Sequence, residues 1–146
     1  MKLLVLNGPN LNFLGIREKN IYGNMDYNGL IEYIKEKIKK IDKNIDIDIK
    51  QSNSEGILID MLQQAYFDKV DGIIINPGAY THYSYAIFDA IKSIQIPTVE
   101  VHISNIHERE DFRKISVTAP ACVYQIYGKG IDGYIEAVLY LHEYLK

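Results

Sequence analysis

Ile45-Asp46-Ile47-Asp48-Ile49 alternates apolar and acidic side chains without interruption. Successive side chains on a strand point to opposite faces, so this run has one dry face and one wet face and belongs at a sheet edge. Its counterparts read differently. Lys2-Leu3-Leu4-Val5-Leu6 and Gly72-Ile73-Ile74-Ile75 are apolar almost throughout, the pattern of strands covered on both sides. Thr98 to Val101 and Ala121 to Ile126 supply two more strands. Between the strands the period changes to that of a helix. Tyr27 to Lys40 carries Leu30, Ile31, Ile34 and Ile38 on one stripe, continued by Ile41, with Asp26 placed as its N-cap. Ser52-Asn53-Ser54-Glu55 has the spacing of a capping box ahead of Ile57, Leu58, Met61, Leu62 and Ala65. Tyr83 to Ser93 reads as a helix broken before Pro97, and Ile131 to Leu145 as a closing amphipathic helix.

Five strands alternating with helices predict an α/β fold with a parallel sheet between two helical layers. An edge position for the second strand selects the order 2-1-3-4-5, the flavodoxin-like three-layer sandwich. The 146 residues suit a single domain spanning 1–146, without internal repeat or linker. A balance of 16 basic against 19 acidic side chains, net −3, argues against a nucleic-acid footprint. No run approaches the roughly 20 apolar residues of a membrane span. A lone cysteine, Cys122, and the lack of a signal-peptide core predict a cytoplasmic protein. Cys122 itself reads as a small core residue within the fifth strand.

In such a sheet, ligands bind beyond the carboxyl ends of the strands, at the switch in strand order. Here those ends are unusually polar. Strand one runs into Asn7-Gly8-Pro9-Asn10-Leu11-Asn12, strand three into Asn76-Pro77-Gly78-Ala79-Tyr80-Thr81-His82, and strand four into Glu100-Val101-His102-Ile103-Ser104-Asn105. Glu100 and His102 share one face of their strand. A carboxylate beside an imidazole fixes its tautomer and favours the imidazolium, which suits His102 to general-acid work; a merely solvated strand end is the alternative. Ile103, Ser104 and Asn105 can form an anion-binding nest or an ordinary turn. Arg113 can meet the same anion or belong to a solvated charged run. The polar stretch from Asn7 to about Asp26 is long for a connector and predicts a lid over roughly 15–24, hinged at Gly15 and Gly23. Within it, Arg17 beside Tyr22 would pair a potential phenolate base with its activating cation, although packing is the commoner use of any one of 12 tyrosines. His82, Glu100 and His102 also allow a metal site, which no dense ligand spacing supports. His107 and His142 read as surface residues.

Taken together, these blocks resemble the type II 3-dehydroquinate dehydratase family, and the likeness runs nearly end to end. The matching stretches are Asn7 to Asn12 with Gly15, Arg17-Glu18 and Tyr22-Gly23; Gln51 to Gly56; Asn76 to His82; Glu100 to Asn105; and Arg109-Glu110 with Phe112-Arg113. The resemblance implies dehydration of 3-dehydroquinate to 3-dehydroshikimate in the shikimate pathway, with no metal and no cofactor. It makes Tyr22 the base, Arg17 the group holding its phenolate, Asn10 the positioner of an enolate-stabilising water, and His102, oriented by Glu100, the acid. Asn76 and His82 would bind ring hydroxyls, the Ile103 and Ser104 amides the carboxylate, and Arg113 a further hydroxyl. Asp89 resembles a residue entering from a neighbouring subunit of a homododecamer built from trimers. The chain departs from the family pattern at Lys19, at Phe88 before Asp89, at Tyr83 and Tyr85, and at Tyr124 and Tyr127. A phospho-receiver with the same strand order would need acidic residues where Asn7 and Asn76 stand, and a flavin module would need a phosphate loop that Pro9, Asn10 and Leu11 do not provide.

Overall fold

Strand β1 (Lys2–Asn7) lies between β2 (Asp46–Gln51) and β3 (Gly72–Asn76), and the sheet continues through β4 (Thr98–His102) to β5 (Tyr124–Tyr127), all parallel, in the order 2-1-3-4-5. The computed structural model describes residues 1–16, 19–22 and 24–146, with backbone alone for Ile21 and Tyr22. The edge placement of β2 follows from its acid–isoleucine alternation: Asp46 and Asp48 are exposed while Ile47 and Ile49 pack inward.

Alternation along the central strands divides the core in two. Leu3, Val5, Ile74 and Val101 face Leu30, Ile34 and Ile38 of α2 (Tyr27–Ile41) and Ala137, Val138 and Leu141 of α5 (Asp132–Tyr144). Leu4, Leu6, Ile73 and Ile75 face Leu58 and Leu62 of α3 (Glu55–Phe67) and Ile87, Ile91 and Ile94 of α4 (Tyr85–Ile94). Each of these leucines and isoleucines is at most 6% exposed, and burying one contributes roughly 1.5–3 kcal/mol. The three-layer α/β sandwich is therefore as the periodicities predict. Among the described residues, no helix is long and apolar enough to cross a membrane.

Local details differ from the sequence reading. Asp26 does cap α2, accepting the Gly29 N–H at 2.7 Å. Helix α3, however, is capped by Ser54 rather than Ser52: Ser54 Oγ accepts the Ile57 N–H, while Ser52 Oγ accepts the Ser54 N–H in a turn before the helix. Glu55 is thereby freed from any reciprocal cap and accepts the Ser84 hydroxyl at 2.6 Å, tying α3 to the cap of α4. The fifth strand begins only at Tyr124. Ala119–Ala121 forms a 3-10 turn with Pro120 inside it, and Cys122 ends that turn instead of sitting in a strand. The polar stretch after β1 is not a bare loop: it holds a 3-10 turn at Leu11–Phe13 and a short helix α1 (Lys19–Tyr22). Arg17, Glu18, Gly23 and the side chain of Tyr22 lie outside the described residues.

Candidate active site

The carboxyl ends of β1, β3 and β4 converge on one cleft because the parallel register places Asn7 beside Asn76 and Ile75 beside Glu100. The chains must come close here. A Cβ on Gly8 would sit 2.5 Å from the Pro77 carbonyl oxygen, so only glycine lets the end of β1 pass the end of β3. The cleft is lined by Asn10, Leu14, Asn76, His82, His102, Ile103, Ser104, Ile106, Arg109 and Arg113.

Glu100 lies fully buried behind His102, and a buried carboxylate is tolerated only where donors replace its water. Four do so. His102 Nε2 at 2.9 Å, Ser116 Oγ at 2.7 Å and Gln125 Nε2 at 2.8 Å all donate to Oε2, and the Thr118 hydroxyl donates to Oε1. Thr81 Oγ1 bridges Ser116 and Thr118 from behind at 2.7 and 2.8 Å. Burial would raise the Glu100 pKa, but the hydrogen bond and charge of His102, with the Thr118 and Ser116 hydroxyls, outweigh it and hold the carboxyl below its ordinary range. Since an ionised carboxylate can only accept, His102 Nε2 carries a proton, and the second ring nitrogen, Nδ1, remains for a ligand.

The remaining walls are set with comparable care. Asn10 adopts a left-handed backbone (φ 70°), a conformation that asparagine tolerates better than most residues, and its N–H donates to Asn53 Oδ1 at 3.0 Å. Gln51 Nε2 donates to that same Oδ1 and to the Gly8 carbonyl, so the end of β2 braces the turn after β1. His82 Nδ1 lies 2.8 Å from the Ile115 carbonyl, which can only accept; Nδ1 therefore donates. Burial lowers the His82 pKa below its usual value, so at neutral pH its Nε2 is an acceptor. The carbonyls of Ile103 and Ser104 accept from the Gly130 and Gly128 N–H groups, each at 3.1 Å, which fixes the turn after β4. Gly128 makes this turn at φ +74°, where its missing Cβ also clears Asn105. Arg113 pairs with Glu110 (Nε to Oε2 2.7 Å, an ion contact without hydrogen-bond alignment) and lies over Phe112. Arg109, 14% exposed, adds a second guanidinium. Both guanidiniums thus line the cleft while facing the Glu110 carboxylate, Arg109 at 4.0 Å and Arg113 at 2.7 Å.

Of the residues singled out from the sequence, Asn10, Asn76, His82, His102, Ile103, Ser104 and Arg113 share the cleft, with Glu100 directly behind it. Asp89 is exposed on α4 and is not among the residues lining the cleft. Arg17 and the Tyr22 side chain fall outside the described residues. Sequence reasoning missed the donors Ser116, Thr118 and Gln125. The signal was indirect, a glutamate inside an otherwise apolar strand, which must find hydrogen bonds somewhere. Arg109 was legible only as part of a matching block. Among the described residues, no three His, Cys, Asp or Glu side chains are grouped to hold a metal ion.

A buried carboxylate–histidine pair, with arginines, asparagines and a second histidine lining the same cleft at the switch in strand order, marks this α/β protein's polar site. The chain belongs to the class II dehydroquinase family, whose model matches residues 1–142. A 3-dehydroquinate dehydratase of Fusobacterium nucleatum is 62% identical over 144 residues, covering 99% of this chain and 98% of the relative. The crystal structure of a type II dehydroquinase from Butyrivibrio crossotus superposes with a TM-score of 0.94 at 61% identity, over 97% of each chain. Another from Propionibacterium acnes gives 0.92 at 39% identity, over 97% of this chain and 96% of that one.

Proposed function

We propose that the protein is a 3-dehydroquinate dehydratase that removes water from 3-dehydroquinate in an anti elimination, giving 3-dehydroshikimate without a metal or cofactor. The observation that carries this reading is the Glu100–His102 pair opening onto a cleft that also holds Asn10, Asn76, His82, Ser104 and Arg113. The Tyr22 phenolate, held by Arg17, takes the proton from the carbon beside the ketone, leaving an enolate. A water positioned by Asn10 donates to the enolate oxygen. As the ketone re-forms, the carbon–oxygen bond breaks and His102 protonates the departing hydroxyl, so water leaves. Return of the proton from Tyr22 to His102, through solvent, restores the enzyme. The two N–H groups at Ile103 and Ser104 hold the carboxylate, Asn76 and His82 hold ring hydroxyls, and Arg113 holds another.

The same reading places the chain in a homo-oligomer, a dodecamer built from trimers, working in the cytoplasm. Asp89 would complete a neighbouring copy's cleft; its exposure on α4, together with that of Tyr85 one turn earlier, supports this. The test is direct. Purified protein mixed with 3-dehydroquinate should generate the ultraviolet absorbance of a conjugated enone, and absorbance no faster than buffer would end the assignment. Tyr22→Phe and His102→Ala should each lose turnover while staying folded; near-normal turnover in Tyr22→Phe would remove it as the base.

A further inference from the structure

Strands β1 and β3 end in asparagines that are register partners, Asn7 and Asn76, and both are buried, at 0% and 4% exposure. Two carboxamides in such a position need partners from elsewhere in the chain. The partner is Tyr134 of α5, a fully buried tyrosine whose ring packs in the core beneath the sheet. Its hydroxyl lies 2.6 Å from Asn7 Oδ1 and 3.0 Å from Asn76 Nδ2. Asn7 Nδ2 lies in turn 3.3 Å from the Tyr27 hydroxyl, at the first residue of α2.

The direction of every bond in this chain follows from one donor that cannot reverse. The backbone N–H of Gly78 meets the Asn76 side chain at 3.1 Å, and a backbone N–H only donates, so the atom it meets is Oδ1. The other terminal atom of Asn76 is therefore Nδ2, which donates to the Tyr134 oxygen. Tyr134 must then give its own proton to Asn7 Oδ1, and Asn7 gives a proton to Tyr27. Burial drives the Tyr134 phenol far above its ordinary pKa, so this hydroxyl keeps its proton at any working pH.

Asn76 lines the cleft, whereas Tyr134 does not. With one N–H spent on Tyr134 and one lone pair spent on Gly78, Asn76 has one N–H and one lone pair left. We propose that Tyr134 is a positioning residue that acts through Asn76, holding its carboxamide in the one orientation that offers this donor and acceptor to a substrate hydroxyl. The inference rests on the reading of the cleft as the 3-dehydroquinate site. It also gives α5 a part in binding although α5 lines none of the cleft.

Tyr134→Phe keeps the ring and removes only the hydroxyl. KM for 3-dehydroquinate should rise about tenfold, the equivalent of one hydrogen bond of roughly 1.4 kcal/mol, while kcat changes less than about threefold. A merely structural role would lower the active fraction, and hence apparent kcat, and leave KM alone. In an Asn76→Ala background the KM effect of Tyr134→Phe should vanish. Wild-type turnover with an unchanged KM in Tyr134→Phe, or an undiminished effect in the double variant, overturns this inference alone. A wild-type chain without turnover overturns the functional reading and this inference with it. Should Tyr134→Phe fail to fold, Tyr27→Phe at the half-buried end of the chain decides: KM about twofold to threefold higher supports the proposal, and an unchanged KM refutes it.

Discussion

Thr118→Val removes one of the four donors to Glu100, together with that hydroxyl's contacts to Thr81 and Ser116, while valine keeps the branched outline of threonine. Thr118 is fully buried, and its hydroxyl donates to Glu100 Oε1 while meeting Thr81 at 2.8 Å. A hydrogen bond to a charged acceptor contributes about 1.5–3 kcal/mol, and here no water can replace the lost donor. We therefore expect a loss near 2 kcal/mol at neutral pH. For a chain of this size, each kcal/mol moves the melting temperature by roughly 2–4 °C, so Tm should fall by about 4–8 °C. The loss should also depend on pH. The folded Glu100 carboxyl ionises below its ordinary value, despite burial, because of His102 and the hydroxyls around it. Its contribution is complete above the unfolded-state value of about 4.3 and is lost as pH falls through the folded value. Thr118→Val weakens that contribution, so the Tm gap should be widest near neutrality and shrink in acid, as pH falls from the unfolded-state value through the lower folded one. Thermal unfolding followed by circular dichroism over a pH series measures both. A Tm within about 1 °C of wild type at pH 7, or a gap that widens in acid, would refute the argument.

Gly8→Ala should cost about 1–3 kcal/mol in urea unfolding, because its Cβ would press on the Pro77 backbone at 2.5 Å; an unmoved midpoint would show that the strand ends yield easily. Leu62→Ala empties a fully buried position between α3 and the sheet and should cost about 2–5 kcal/mol by the same measurement, a loss under about 1 kcal/mol counting against the packing described. His82 should titrate by nuclear magnetic resonance with a midpoint below about 6.5, since burial disfavours its charged form, and a midpoint above that value would contradict its place as a neutral acceptor.

Periodicity carried much of the architecture. The acid–isoleucine alternation of β2 and the unbroken apolar runs of β1 and β3 were enough to put one strand at the edge and two inside, and so to order the sheet. Once that order was set, the polar strand ends had to meet, and His82, Asn76, His102 and Asn10 do line one cleft. Ends of elements were less legible, because two serines two residues apart both satisfy the grammar of an N-cap. The position of Ser54 relative to α3, and not its residue type, made it the cap. Likewise, Ala121 and Cys122 look like strand until Pro120 and the 3-10 turn delay β5.

By itself, then, the sequence determined which residues lie on the core faces and which polar groups stand at the strand ends, since both follow from local spacing. Tertiary structure alone decided what those groups bond to. Glu100 receives donors 16, 18 and 25 residues further along the chain, and Tyr134 reaches back 127 residues to Asn7. No local period encodes such pairings. They arise because a buried charge or carboxamide takes whichever donor the packed layers bring within about 3 Å, and that depends on how loops and helices from distant parts of the chain settle against the sheet.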